Sequence, residues 1–298
     1  MRPTPRQRNA LTVDVEEHFQ VEAFAGVIPR DRWEALPSRV EANTQRLLDL
    51  FARAGVRGTF FTLSWVAERH PALIRRIVAG GHELASHGHG HARVPTLGPD
   101  GFRADIRRAR QMLQDIGGVD VLGYRAPTFS LGPDTPWAYD ILAEEGYRYS
   151  SSIYPIRHDL YGAPDAPLQP FHPDGRPLLE IPMTATPLFG RNLPCAGGGF
   201  FRLLPYGIFR RGLLRVNRGG RAGIFYTHPW EVDPGQPRVA GAGRLSRFRH
   251  YLNLSATAGR LERLLADFAW DRMDNVFGSA LLAAPNARFA PAAAEYSA

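Results

Sequence analysis

Cysteine is nearly missing from this chain. Of 298 residues only Cys195 carries a thiol, which excludes an intramolecular disulfide and a cysteine-based zinc site, so any metal must be held by histidine and carboxylate. Long apolar runs are missing as well: nowhere do the roughly 18 consecutive apolar residues of a membrane-spanning helix occur. The opening MRPTPRQRNA is basic but leads into no apolar stretch, so neither a signal peptide nor a transmembrane segment is expected and the chain reads as cytoplasmic. Concentrated basic charge is the third absence. Although 36 Lys plus Arg stand against 29 Asp plus Glu, for a formal charge of +7, the arginines that dominate this excess are dispersed. The nearest approaches to clusters, Arg107-Arg108-Arg110 and Arg244-Arg247-Arg249, are interrupted by apolar residues as on the solvent side of helices. No helix-turn-helix, zinc-finger or aromatic RNA-binding signature accompanies them, which argues against a nucleic-acid partner.

What is present is enough apolar material, 44% of the chain, to bury the core of one large domain. From residue 10 onward short β-like runs alternate with longer amphipathic stretches, the pattern of repeated βα units and a parallel sheet or barrel, hence an α/β fold. Strands are expected at 10–15, 58–63, 83–86, 121–124, 149–151 and 223–227. Helices are expected at 39–54, with Ser38 as N-cap and Gly55 as terminator, and at 71–79, 99–116, 137–145, 204–216 and 256–269. Residues 155–199 are rich in Pro and Gly, with little periodicity outside 178–181, and read as a long functional loop region over the barrel mouth. The final AAPNARFAPAAAEYSA reads as a loose tail.

The chemistry concentrates at strand ends. SHGHGH, residues 86–91, places His87 and His91 four apart with His89 between them. Three histidines in five residues are hard to explain as packing, and His87 and His91 can grip one cation. Asp14 and Glu16 end the first strand in LTVDVEEHF, where period-two alternation turns both to one side; a pair of buried carboxylates needs a cation or a hydrogen-bond network to compensate it. In GYRAPTFS, Arg125 follows an apolar strand and could orient a carboxylate through paired N–H bonds, while Pro127 stiffens the turn after it. In IFYTHPWE, His228 closes another apolar strand. In a parallel barrel all such C-terminal strand ends converge on one face. Gly197-Gly198-Gly199 lacks the Lys-Ser/Thr of a phosphate loop and reads as a tight turn near the site; Cys195 has no local base and is not expected to be a nucleophile.

These motifs resemble those of the NodB-homology polysaccharide deacetylases, carbohydrate esterase family 4, over roughly residues 10–235. The nearest likeness is to the subfamily of exosortase (PEP-CTERM) exopolysaccharide loci in Gram-negative bacteria, whose carboxy-terminal extension, of the DUF3473 type, resembles the stretch from GGGFFRLLPY to FRHYLNL. The resemblance implies a deformed (β/α) barrel at 10–235, preceded by a basic segment at 1–9 and followed by an extension packed on it at 236–280 and a flexible tail at 281–298. It makes Asp14 the catalytic base, His87 and His91 metal ligands, Arg125 the residue that aligns Asp14, and His228 the general acid. The family's Thr-Phe-Asp-Asp corresponds to Thr12-Val13-Asp14-Val15, so Val15 replaces the metal-binding Asp; relatives with an Asp-x-acid pattern point to Glu16 as the ligand, with Glu17 less favoured. The third motif is matched by Arg125, Pro127 and Phe129, the fourth loosely by Tyr149-Ser150-Ser151-Ser152, and the fifth by Tyr226-Thr227-His228. Pro127, Phe129, Tyr161, Tyr226 and Trp230 are candidates to wall or stack on a sugar ring. A divalent metal, zinc foremost, is the implied cofactor. The implied substrate is an N-acetylated amino-sugar polymer or lipid-linked oligosaccharide, from which N-acetyl groups are hydrolysed in exopolysaccharide biosynthesis. The competing readings are an amidohydrolase of a small cyclic amide or ureide and a catalytically silent sugar-binding relative.

Overall fold

Seven of the first strand's eight residues show why a parallel sheet forms. RNALTVDV, β1 (Arg8–Val15), is buried at every position after the first, as expected of a strand covered on both faces. The computed structural model describes residues 7–283. Around β1 run β2 (Thr59–Thr62), β3 (Glu83–Ser86), β4 (Gly123–Tyr124), β5 (Tyr149–Ser150) and β6 (Leu179–Glu180), in that spatial order and all parallel. A hairpin of β7 (Ala185–Leu188) and β8 (Arg191–Pro194) stands apart. On the other side of β1 lie β9 (Ile224–Thr227) and β10 (Ala269–Asp271), which share its length: Ala10 to Val13 pair with β9 and Arg8 to Ala10 with β10. The α/β class and the deformed, incompletely closed barrel agree with the expectation from the sequence.

Register sets where the chemistry falls. Val15, Thr62, Ser86, Tyr124, Ser150 and Glu180 form one row across the sheet. The residues that follow them in the chain, among them Glu16, His87, Arg125 and Ser151, therefore emerge together at the C-terminal rim, the face on which parallel barrels carry their sites. Helices Val40–Ala54, Pro71–Ala79, Val94–Gly117, Trp137–Glu144, Tyr206–Arg218 and Leu254–Asp267 pack outside the sheet and share one core, in which Leu11, Phe51, Phe60, Phe102, Leu113, Phe209 and Leu264 are buried.

Four local expectations are revised. Ser38 does not cap the first helix: its hydroxyl donates to Glu17 Oε1 (2.5 Å), and the Glu17 carboxylate takes the backbone N–H groups of Arg39 and Val40. A full charge at a helix N-terminus satisfies orphan donors better than a hydroxyl does. The 155–199 region contains the β7–β8 hairpin, which tolerates Pro187 and Pro194 because it lies off the main sheet. The helix expected at 204–216 begins two residues later, as Tyr206–Arg218 after Pro205, and a short helix not expected from the sequence, Gly198–Leu203, precedes it. The helix expected at 256–269 runs Leu254–Asp267, after which Ala269–Asp271 enters the sheet as β10, within the stretch expected to be an extension. Of the expected basic segment and tail, residues 1–6 and 284–298 lie outside the described residues.

Candidate active site

Burial of Arg125 organises the floor of the site. Its guanidinium has no solvent exposure, so each donor needs a partner. Nη1 donates to Asp14 Oδ1 (2.6 Å) and Thr12 Oγ1 (2.8 Å), Nε to the Ser151 carbonyl (3.1 Å), and Nη2 to Ser151 Oγ (3.2 Å). The cation also lies 4.1 Å from the centroid of the Phe61 ring. Ser152 Oγ takes the backbone N–H of Ala126, so the serine run at 150–152 is a support for the arginine segment. Asp14 thus has one oxygen clamped by Arg125 while Oδ2 faces His228 Nε2 at 3.9 Å.

Beside this pair stand Glu16, His87 and His91, all buried, each offering one ligand atom with all three atoms within 4.8 Å of one another. His87 Nδ1 is 2.8 Å from the Arg125 carbonyl; a carbonyl only accepts, so Nδ1 carries the proton and Nε2 keeps its lone pair, the arrangement found behind metal-ligating histidines. Burial lowers the His87 pKa to about 4, with His91 adding to the effect and Asp14 and Glu16 opposing it. Glu16 accepts from Trp230 Nε1 through Oε1 (3.2 Å), whereas Oε2 has no hydrogen-bond partner although it is buried and 2.8 Å from His91 Nε2. Burial acts to raise the Glu16 pKa, but the imidazoles of His91, His228 and His87 outweigh it and hold the group at about 2. A buried carboxylate oxygen met only by imidazole nitrogen is a donor set that suits a divalent cation.

The loop that aims these imidazoles is tightly held. His91 has a left-handed backbone (φ 52°). At Gly88, with φ 78°, an added Cβ would come within 2.8 Å of Asp105 Oδ2, the same atom that accepts the backbone N–H of His89 (3.0 Å). His89 itself turns away from the cluster to Ser64, whose Oγ is 2.8 Å from its Nδ1. Glu17, with both oxygens engaged at the N-terminus of the helix Val40–Ala54, also stands outside the cluster.

His228 reaches the same cleft from β9. Its Nδ1 is 3.2 Å from Glu231 Oε2, which also accepts from the His228 backbone (2.9 Å) and Thr227 Oγ1 (3.0 Å), while Glu231 Oε1 accepts from Arg202 Nε (2.7 Å). Burial opposes protonation of His228, but Glu16, Glu231 and Asp14 overcome it and raise its pKa to about 9. The ring is stacked on Trp230 (4.9 Å between centroids), which stacks in turn on His250 (4.2 Å), and His250 packs on Phe24 (4.5 Å). Glu231, Arg202 and His250 were not among the residues singled out from the sequence; only the His-x-x-Glu spacing, a capping-box signature now seen in place, offered a sign of the first.

Together these groups line a cleft of about 610 Å³. Phe129, Tyr161, Tyr226 and Trp230 line it as well, whereas Pro127 is buried in the turn Pro127–Phe129. The triple glycine, expected to be a tight turn, is instead a bridge and a helix start: Gly197 pairs with Tyr226, whose carbonyl a Cβ there would meet at 2.1 Å, and Gly198 and Gly199 open the helix Gly198–Leu203. Burial drives the Cys195 thiol to about 12, which keeps it protonated and inert.

Comparison with known proteins fits this geometry. Residues 31–150 match the family described as polysaccharide deacetylase. They form a polysaccharide deacetylase domain. Residues 151–278 match the domain of unknown function DUF3473, so the deacetylase domain is followed by a second recognised region that supplies His228 and its partners. Over 84 residues the chain is 29% identical to a peptidoglycan-N-acetylglucosamine deacetylase of Bacillus cereus, covering 28% of this chain and 30% of that protein. Over 65 residues it is 40% identical to a chitooligosaccharide deacetylase of Sinorhizobium fredii, covering 22% and 28%. The chain thus spans about a third or less of the length of these two relatives. A solved structure from Mycobacterium smegmatis, assigned to the polysaccharide deacetylases, shares the fold, with a TM-score of 0.61 at 21% identity over 94% of this chain and 92% of that one.

Proposed function

We propose that the chain is a divalent-metal-dependent hydrolase that removes N-acetyl groups from an amino-sugar glycan. The observation that carries this reading is the convergence, in one cleft, of the Glu16–His87–His91 donor set, the Arg125-clamped Asp14 and the Glu231-tethered His228. The deacetylase names of the relatives support the same reaction class. Glu16, His87 and His91 would hold the metal, zinc by preference for two imidazoles and one carboxylate; when bound, it supplies a Lewis acid that polarises the amide carbonyl and activates water.

The protein's own groups account for the proton transfers. Arg125 occupies Asp14 Oδ1, so Oδ2 is the atom that takes the proton of an attacking water. Glu231 holds His228 Nδ1–H, which leaves Nε2–H directed toward Asp14 and Glu16, where the amide nitrogen would depart as an amine. The Glu231 carboxylate on Nδ1 favours the protonated ring, the form that can donate from Nε2. Phe129, Tyr226 and Trp230 wall the space a sugar ring would fill. The likeness of the motifs to exopolysaccharide-locus deacetylases supports a place in exopolysaccharide biosynthesis.

The test is metal content together with acetate release from an N-acetylglucosamine oligomer, for wild type and for His87→Ala, Glu16→Ala and Asp14→Asn. The expected result is stoichiometric metal lost in the first two, and metal retained with acetate release reduced on the order of 10²–10⁴-fold in the third. A folded wild type that binds no metal and releases no acetate would overturn the assignment in favour of a silent sugar-binding protein.

A further inference from the structure

The wall of the cleft differs in kind from its floor. Leu160, Leu203 and Phe248 line the mouth, yet remain 37%, 50% and 55% exposed. Phe248 belongs to the helix Arg244–Tyr251, RLSRFRHY. One side of that helix is fixed: His250 stacks on Trp230, and Tyr251 packs on Phe24. The other side turns Leu245, 57% exposed, and Phe248 outward, three residues apart and so on one face. Arg244, Arg247 and Arg249 are exposed in the same helix, which contains no carboxylate. Arg249 is paired with Asp159 (2.9 Å), tying the helix to the loop that carries Leu160. Arg157, exposed in that loop, adds a further cation at the mouth, against Glu22 and Asp159 as the acids that line it.

Contiguous exposed apolar side chains rimming a cleft mark a surface that is covered in use. Arginine interleaved with Leu and Phe on a short, well-anchored helix has the composition of an element that lies in the plane of an anionic bilayer, with its apolar side chains among the acyl chains and its guanidinium groups among the phosphates. No helix among the described residues is long and apolar enough to cross a membrane, so the contact would be peripheral. We propose that the mouth of the cleft docks on an anionic phospholipid surface through Leu203, Leu245, Phe248 and the arginines of the helix Arg244–Tyr251, so that the glycan it receives is one anchored to that lipid surface. The last clause rests on the deacetylase reading; the docking does not.

The experiment separates the two. Full-length protein is floated with vesicles of phosphatidylglycerol and phosphatidylcholine, and with vesicles of phosphatidylcholine alone, at low and high salt. Acetate release from a soluble N-acetylglucosamine oligomer is measured in parallel. Leu245 and Arg244/Arg247 are substituted because they lie outside the cleft lining. The docking predicts co-flotation with the anionic vesicles only, weakened by salt. It also predicts that Leu245→Ser weakens flotation severalfold and that Arg244→Glu/Arg247→Glu reduces it on the order of 10-fold or more, with soluble-substrate activity unchanged in both variants. Absence of flotation by active wild type would overturn the docking and leave the deacetylase reading intact, as would equal flotation of the charge-reversed variant. A concentration-dependent dimer that Leu245→Ser abolishes, with no vesicle binding, would assign the face to a second copy instead. Flotation by a protein inactive on the soluble oligomer would uphold the docking and count against the deacetylase reading alone.

Discussion

The two recognised regions meet in one cleft and contribute to it differently. The deacetylase domain, with β1 ahead of it, places ionisable groups directly after strands whose register is fixed by the sheet: Glu16 after β1, His87 after β3, Arg125 after β4. His87 is then locked by a main-chain partner, the Arg125 carbonyl, and Arg125 by side chains of the neighbouring strand ends, Thr12, Asp14 and Ser151. The DUF3473 region contributes one comparable group, His228 after β9, and spends the rest of its contribution on side chains that hold it from a distance. Arg202 and His250 reach the site from helices 26 residues before His228 and 22 residues after it. The lesson is a division of labour: in one region strand register delivers several groups to the cleft, in the other a side-chain network holds the single group it adds.

That contrast can be broken experimentally, and the largest effect is expected on the side built by strand register. Arg125→Met should destabilise the protein by about 3–5 kcal/mol in denaturant titration, because it leaves Asp14 charged, buried and unpaired; a loss under about 1 kcal/mol would mean that solvent reaches Asp14 and that the floor is not preorganised. On the other side, Glu231→Gln should leave metal content intact and lower kcat on the order of 10–100-fold with little change in KM, a fraction of what a general acid supplies. An unchanged kcat would show that Trp230 alone orients His228.

The smallest effect concerns the core beneath both regions. His82 is buried with Phe51 and Phe60 against its ring, and its Nδ1 accepts the backbone N–H of Gly58 (3.1 Å), which requires the neutral form. Burial, with Arg57 and Arg272 adding to it, lowers its pKa to about 4. The unfolded chain, with an ordinary histidine pKa near 6.5, binds the proton first, so stability is full above about pH 6.5 and falls as pH drops toward 4, by about 2–3 kcal/mol. His82→Gln, whose amide oxygen can accept the same bond, should flatten that part of the pH dependence of the melting temperature; an unaltered slope would assign it to the other buried histidines.

The strand ends were legible in the sequence because each is a local event, a polar residue closing a short apolar run, and the alternation of Asp14 and Glu16 follows from strand geometry alone. The partners of His228 were not, since nothing within a few residues of Arg202 or His250 points to Glu231 or Trp230; only packing in three dimensions brings them together. Local propensity misled at Ser38, a good cap in isolation, because Glu17, 22 residues before Arg39, competes for the same backbone donors with a full charge. The last strand escaped notice for another reason: Ala269-Trp270-Asp271 is three residues long and follows a helix almost without a break, too short to show a period.

That late strand bears on how the chain comes into being. Residue 8 pairs with residue 269, and residues 10–13 pair with residues 224–227, so β1 waits at the ribosome for partners made more than two hundred residues after it. Until those partners emerge, one edge of β1 stays open while only its β2 side can close. Asp14 and Glu16, at the end of that strand, cannot face His228 until β9 has emerged. Pairings this distant along the chain make for slow, late closure, and a product truncated before residue 269 would expose an apolar strand edge and be prone to aggregate.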